Sequence, residues 1–302
     1  MASLWRRAPA SATLNEGWIG DMESLQLTRC SINTATLGHR EPIAVTIDRI
    51  ARAGFGGLAP WRHEVEAADV SKIARQIRAL ELKVTGYCRS TYFPASTEEQ
   101  RLANIESNVH ALNDAAELGA ECFVMVVGGL PAGSRDLSGA RVQIRDGIGA
   151  LLEKARKIGV RLAIEPLHPM YGGERSVINT IDQANALARE LDPHNDGFLG
   201  IAVDVYHCWW DPKLESAVSS VGKDNRVLAY HVSDWLVPMT DMLFDRGMMG
   251  DGVIDLKGFR QSVEIAGYTG MVEVEIFSRD NWWKLPPDLV LQTCAERLQS
   301  VC

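Results

Sequence analysis

The amino-acid sequence predicts an α/β protein of a single domain, a (β/α)8 barrel of the TIM type. Three observations lead there. Short apolar runs alternate with longer amphipathic stretches eight times along the chain. The runs are apolar almost throughout, as strands are when helices cover a parallel sheet. The 302 residues contain no Pro/Ser linker, no low-complexity stretch and no shift in composition. Barrels of this kind commonly run to about 250 residues or more as one domain.

Residues 1–25 are expected to form an N-terminal arm and 26–302 the barrel. The opening MASLWRRAPASATL is rich in Arg and Ala, has no acid, and lacks the apolar stretch of a secretory leader. The first strand is expected at 26–33 (QLTRCSIN), and its helix at 42–53 stops at Gly54, which suits a left-handed cap. The turn between them has no G-x-G-x-x-G, which argues against an open dinucleotide-binding sheet. Strand 56–61 (GGLAPW) leads into helix 69–81, and strand 83–89 (KVTGYCR) into helix 97–118. Thr97 is placed as an N-cap ahead of Glu98 and Glu99, with Gly119 past the helix end. Strand 122–128 (CFVMVVG) precedes helix 139–158 and Gly159, and strand 161–167 (RLAIEPL) precedes helix 180–191. Strand 200–206 (GIAVDVY) pairs with helix 213–221, and strand 227–233 (VLAYHVS) with helix 255–266 and Gly267. Strand 271–277 (MVEVEIF) and helix 288–299 close the series. The one long irregular stretch, 234–254, exceeds the about 12–15 residues beyond which loops tend to be functional.

Composition narrows the function. Hydrophobic residues at 46% and charged residues at 23% are ordinary globular usage, which excludes disordered and fibrous chains. The net charge of −8, from 39 acidic and 31 basic residues, repels a phosphate backbone, so no nucleic-acid partner is expected. No apolar run approaches the ~18–20 residues of a membrane span, and no membrane partner is expected. Six cysteines lie far apart without a C-x-x-C pair. They read as reduced thiols of a cytoplasmic protein, most of them small core residues.

In such a barrel the chemistry sits at the C-terminal ends of the strands. The last four strands each carry a titratable residue inside an apolar run: Glu165 in LAIEPL, Asp204 in IAVDVY, His231 in LAYHVS and Glu275 in VEVEIF. A lone ionised carboxylate buried there is costly. On one strand it can be an internal salt-bridge partner; on successive strands, a bound divalent cation accounts for all of them. Oxygen-rich ligation with one nitrogen suits Mn²⁺ first, with Mg²⁺, Co²⁺ and Zn²⁺ as alternatives. Glu273 points to the same side of its strand as Glu275 and reads as a deeper network partner. His207 follows Asp204 by three residues and His168 follows Glu165 by three; each faces the cavity or is a hydrogen-bonded structural imidazole. Trp61, Trp209, Trp210, Trp235, Trp282 and Trp283 all follow strand ends. They suit stacking on a sugar ring, with Trp61 and Trp235 as substrate contacts, or they close the barrel top or an oligomer interface. Arg246, in the long loop, stands over an oxyanion or phosphate, or pairs with Asp245.

The stretches LAIEPLHP, VDVYH, LAYHVSDW and GYTGMVEVEIF together resemble the xylose-isomerase-like group of sugar isomerases and epimerases, over about residues 25–285. The resemblance implies Glu165, Asp204, His231 and Glu275 as metal ligands, and His207 and Arg246 as substrate-binding residues. The group's epimerases carry a further glutamate near where Met170 and Tyr171 stand here. The implied chemistry is proton abstraction next to a carbonyl through a metal-stabilised enediolate, with Glu165 and Glu275 on opposite sides of the substrate carbon. The expected activity is isomerisation or epimerisation of a sugar or keto-sugar. One alternative is a lyase performing β-elimination on a 3-keto sugar, C-glycoside or cyclitol, with His168 as a separate acid; the metal-bearing subunits of C-glycoside deglycosidases share the same motifs. A second alternative is a metal-free sugar-binding or scaffold subunit. A homo-oligomer is expected, with a smaller partner subunit as an alternative.

Overall fold

The computed structural model describes residues 24–302, so the expected N-terminal arm lies outside the described residues except for its last two. Of those, Leu25 is already buried in the core. The strands are β1 (Cys30–Asn33), β2 (Gly57–Ala59), β3 (Lys83–Val84), β4 (Tyr87–Cys88), β5 (Cys122–Met125), β6 (Arg161–Ile164), β7 (Leu199–Asp204), β8 (Val227–Val232) and β9 (Val272–Val274). All neighbours run parallel, in the order β3-β2-β1-β9-β8-β7-β6-β5-β4. The two ends of this order are pieces of one expected strand, 83–89. β3 pairs with β2 and β4 pairs with β5, so the barrel closes through a single interrupted strand. At the interruption a Cβ on Gly86 would sit 3.1 Å from Val124 Cγ2. The neighbouring Thr85 keeps its backbone bond to Leu58 O (3.0 Å), while its hydroxyl bonds Ser31 Oγ (3.0 Å) and Glu273 Oε2 (2.6 Å).

The eight expected helices are α1 (Ile43–Arg52), α3 (Val70–Ala79), α4 (Glu98–Leu118), α5 (Leu137–Ile158), α6 (Ile181–Leu191), α8 (Leu214–Lys223), α9 (Leu256–Ile265) and α10 (Pro287–Val301). Their apolar faces bury Ile47, Ile77, Leu112, Ile148, Val218 and Leu298, among others, against the sheet. Thr97 caps α4 by accepting from Gln100 N at 3.2 Å, a contact that contributes about 1 kcal/mol. Gly119 (φ 74°) and Gly159 (φ 88°) end α4 and α5 in the left-handed region, where a side chain would be strained. Two short helices not anticipated from periodicity, α2 (Arg62–Glu66) and α7 (Val205–Cys208), turn the chain at strand exits. The second shortens the expected strand 200–206 to end at Asp204, whose Oδ1 accepts from Tyr206 N at 2.8 Å.

The irregular 234–254 stretch is ordered by one buried carboxylate. Asp234 accepts backbone N–H groups from Trp235 (2.8 Å), Gly250 (2.9 Å), Gly252 (2.9 Å) and Ile254 (3.1 Å). A Cβ on Gly252 would lie 2.2 Å from Trp235 O, so only glycine allows this wrap. Asp234 and Gly247 also exchange a reciprocal pair of backbone bonds at 2.9 Å. That pairing returns the next-door Arg246 to the barrel mouth. Among the described residues all six cysteines are free and buried, and no helix is long and apolar enough to cross a membrane.

Candidate metal centre

The four predicted donors converge. Glu165 directly follows β6, Asp204 ends β7, His231 lies in β8 and Glu275 directly follows β9. Each offers one ligand atom, all within 4.8 Å of one another, and all four residues are buried. His231 Nδ1 is 3.1 Å from Glu165 Oε1 and 3.9 Å from Glu275 Oε2. Its other nitrogen, Nε2, lies 3.6 Å from Glu273 Oε1. Glu273 is the deeper partner expected from its register, and it accepts from Asn33 Nδ2 (2.9 Å) and Thr85 Oγ1 (2.6 Å). Asn33 Nδ2 also donates to Glu275 Oε1 at 3.0 Å, tying the two glutamates of β9 to the end of β1.

Arg246 supplies the cluster's fixed positive charge. Its Nη1 donates to Asp204 Oδ2 (2.9 Å) and Glu275 Oε2 (3.1 Å), and its Nη2 lies 3.1 Å from His207 Nε2. The guanidinium also stands over the Tyr206 and Phe277 rings, 4.4 and 5.0 Å from their centres. Its sequence neighbour Asp245 is engaged elsewhere, accepting from Thr240 N and Oγ1, so of the two readings of Arg246 the pairing with Asp245 does not occur.

Burial and crowding then set the protonation. Burial pushes Asp204 up, but the Arg246 charge, the two imidazoles and the Tyr206 N–H outweigh it and hold Asp204 below the ordinary carboxylate value. Glu275 goes the other way, pushed up to about 8 by burial and the nearby Glu165 against the pull of Arg246. Burial alone would lower His231; the surrounding Glu273, Glu165 and Glu275 carboxylates overcome it and raise the imidazole well above its ordinary value. His207 falls to about 3 through burial, with Asp204 opposing and Arg246 adding to the depression. A raised Glu275, a raised His231 and a guanidinium drawn in between Asp204 and Glu275 mark a site short of positive charge. Three carboxylates and an imidazole nitrogen at this spacing fit a divalent cation of the hard or borderline kind.

A cavity opens onto the cluster. Of the four donors only Glu165 and Glu275 line it, beside His207, Arg246 and the apolar faces of Trp61 and Phe277. Trp61 is held there by Nε1 donating to Asn33 Oδ1 at 2.7 Å. Two expected site residues are not brought to this cavity. His168 Nδ1 accepts from Met170 N (3.2 Å) to cap the turn Pro169–Tyr171, and its ring lies 4.7 Å from that of Trp235. Trp235 packs on Tyr206 (4.9 Å) and Trp209 (5.5 Å). Both therefore belong to an aromatic cluster and not to the cavity lining, where a catalytic His168 and a substrate-stacking Trp235 were expected. His207 does reach the cavity, and its Nδ1 accepts from His168 N at 3.2 Å. Tyr171, standing where the resembling epimerases carry a glutamate, lines the cavity and donates its hydroxyl to Met242 O at 2.7 Å. Arg89 and Arg175 also line it, and no motif pointed to them.

A family model described as a xylose isomerase-like TIM barrel matches residues 47–300. The chain is 27% identical over 259 residues to 3-dehydroshikimate dehydratase of Pseudomonas aeruginosa, covering 82% of this chain and 38% of that protein. It is 28% identical over 153 residues to inosose isomerase of Bacillus subtilis, covering 49% of this chain and 51% of that protein. The chain thus spans about two fifths to one half of the length of these curated relatives. A solved protein of Sinorhizobium meliloti 1021 is 48% identical, with a TM-score of 0.89 over 92% of this chain and 99% of that one.

Proposed function

This chain belongs to the xylose isomerase-like TIM barrel family, and from that premise we propose that it is a divalent-metal-dependent isomerase or epimerase of a sugar or keto-sugar. The observation that carries the reading is the split within the donor set. Asp204 and His231 lie behind the cavity wall, whereas Glu165 and Glu275 line it. Two carboxylates of one cluster can then reach a substrate while all four hold the cation.

Glu165, Asp204, His231 and Glu275 would hold the metal, Mn²⁺ first and Mg²⁺, Co²⁺ or Zn²⁺ as alternatives. Bound there, a divalent cation supplies positive charge to an oxyanion developing at a carbonyl. The chain's own residues do the rest. One of Glu165 and Glu275 takes the proton from the carbon beside the carbonyl, and the other returns it, on the opposite face for an epimer. His207, neutral because burial holds it at about 3, orients a substrate oxygen. Arg246, paired with Asp204 and Glu275, keeps Glu275 aimed and is a second contact for a substrate oxyanion. Trp61 offers an aromatic face to a ring's C–H side.

A second reading, elimination of water from a keto substrate, draws on the dehydratase relative, whose alignment spans 82% of this chain. In that reading the acid for the leaving group has to come from the cavity lining, where His168 is absent and the Tyr171 hydroxyl is present.

The test is turnover of ketohexoses and inososes in deuterated buffer, before and after chelation. Deuterium retained in an isomeric product supports isomerisation, and loss of water supports the dehydratase reading. Full activity after the metal has been stripped overturns both. Glu165→Gln and Glu275→Gln are each expected to lower turnover by about 10²–10⁴-fold, the usual contribution of a positioned acid or base.

A further inference from the structure

The cavity contains two guanidinium groups that its own carboxylates do not answer. Arg89 directly follows β4 and Arg175 lies beyond β6, and both line the cavity. The two lining carboxylates are engaged by other groups: Glu275 by Arg246 at 3.1 Å and Glu165 by His231 at 3.1 Å. Arg89 donates to the carbonyl of Ser90 at 3.2 Å, and its guanidinium lies 4.7 Å from the centre of the Tyr92 ring. Arg175 stands 5.5 Å over Tyr171, and its buried Nε has no hydrogen-bond partner among the described residues. The nearby Arg62 shows the ordinary solution, an ion pair with Glu66.

An arginine cannot shed its proton to escape such a setting. Burial holds Arg89 below its ordinary value, with the Arg175 charge adding to that and Tyr92 opposing it. Two half-buried cations without a counter-charge among the described residues carry a cost that a bound anion removes. Each guanidinium lies within cation–π range of a tyrosine ring, Arg89 of Tyr92 and Arg175 of Tyr171, and a guanidinium suits two-point recognition of an oxyanion. Arg89 also lines the adjoining open groove with Trp61, Arg62, His63 and Glu66, so this cation stands where the cavity meets that groove.

We propose that Arg89 and Arg175 form an oxyanion subsite, so that the compound this cavity accepts bears a carboxylate or a phosphate ester. The acid group is read from these two residues alone; that the same compound bears the reacting carbonyl rests on the proposed function.

Titration calorimetry on the full chain, chelated and metal-loaded, tests it with D-glucuronate and D-glucose 6-phosphate, each against neutral D-glucose. One acid or the other is expected to bind about tenfold or more tightly than glucose, as charge-assisted bidentate contacts allow. Which acid gains the preference tells carboxylate from phosphate. Arg89→Gln and Arg175→Gln should each remove most of it without weakening glucose. Added salt should weaken the acid alone, a readout that needs no variant. Neither acid binding, acids and glucose binding alike, or a preference indifferent to salt and to both substitutions overturns the proposal. Neither arginine is a metal donor, so the preference is expected in chelated protein too. Turnover indifferent to chelation would overturn the proposed function and leave this subsite standing.

Discussion

Removing the Asp234 carboxylate should open the loop that carries Arg246. Asp234 is fully buried, and its four hydrogen bonds divide evenly: Oδ1 serves Trp235 and Ile254, Oδ2 serves Gly250 and Gly252. Hydrogen bonds to a charged group contribute about 1.5–3 kcal/mol each, so the four amount to roughly 6–12 kcal/mol if nothing replaces them. Residues 250–254 are exposed or half-exposed, and their freed amides regain water as the loop opens, which recovers about half of that or more. Asp234→Ala is therefore expected to cost about 3–5 kcal/mol. Asp234→Asn keeps the Oδ1 pair but turns an NH₂ group toward two backbone donors, for about 2–3 kcal/mol. Urea denaturation should rank the parent above Asn and Asn above Ala. Hydrogen exchange should quicken at the amides of Gly250, Gly252 and Ile254 before it does in the strands. If Asp234→Ala unfolds within about 0.5 kcal/mol of the parent, with those amides protected as before, the reasoning is refuted.

Metal loading should release protons. Near pH 7 the metal-free protein holds a proton on Glu275, raised to about 8, and on His231, raised well above its ordinary value. A cation needs both deprotonated, so about two protons leave per ion. Affinity should rise with pH, by about two log units per pH unit below the Glu275 value and half that above it. Calorimetry in buffers of differing protonation heat reads the number directly, and release of less than about half a proton would refute the charge account. The two histidines should also separate. His168→Ala is expected to leave turnover within about threefold of the parent, while His207→Ala lowers it about 10-fold to 100-fold. Equal effects in steady-state assays would count against the assignment of His168 to the aromatic cluster.

The donors were legible because burial penalises charge. Glu165, Asp204, His231 and Glu275 each break an apolar strand run, and such a break needs a compensating partner. Helix ends were legible for a local reason too: a Thr97 cap or a Gly119 stop acts within four residues of itself. What was hidden depends on contacts distant in sequence. KVTGYCR reads as one strand, and it divides at Thr85 and Gly86, where the Thr85 hydroxyl donates to Glu273, 188 residues on. His168 and Trp235 both follow strand ends, but position along a strand does not fix where a side chain turns. A backbone N–H two residues on claimed the His168 ring. Asp234 gave no signal because three of its partners are backbone amides 16 to 20 residues away. Arg89 and Arg175 were silent for a different reason, since what distinguishes them is the lack of a carboxylate partner among the described residues.

These contacts make cation affinity a property of the loop as well as of the barrel. Arg246 Nη1 bonds Asp204 Oδ2 and Glu275 Oε2, two carboxylates that also belong to the donor set. A guanidinium and a divalent cation therefore draw on the same negative charge, and each weakens the hold of the other. The guanidinium cannot relax by losing its proton; it can only move. Its backbone is held on two sides, by the Asp234–Gly247 pair next to it and by its own N–H, which donates to Phe277 O at 2.9 Å. Loosening the loop at Asp234 thus removes a competitor from the metal donors while removing a substrate contact from the cavity. Cation affinity and turnover should respond in opposite directions to that single change, an outcome that a rigid four-residue site on barrel strands alone does not produce.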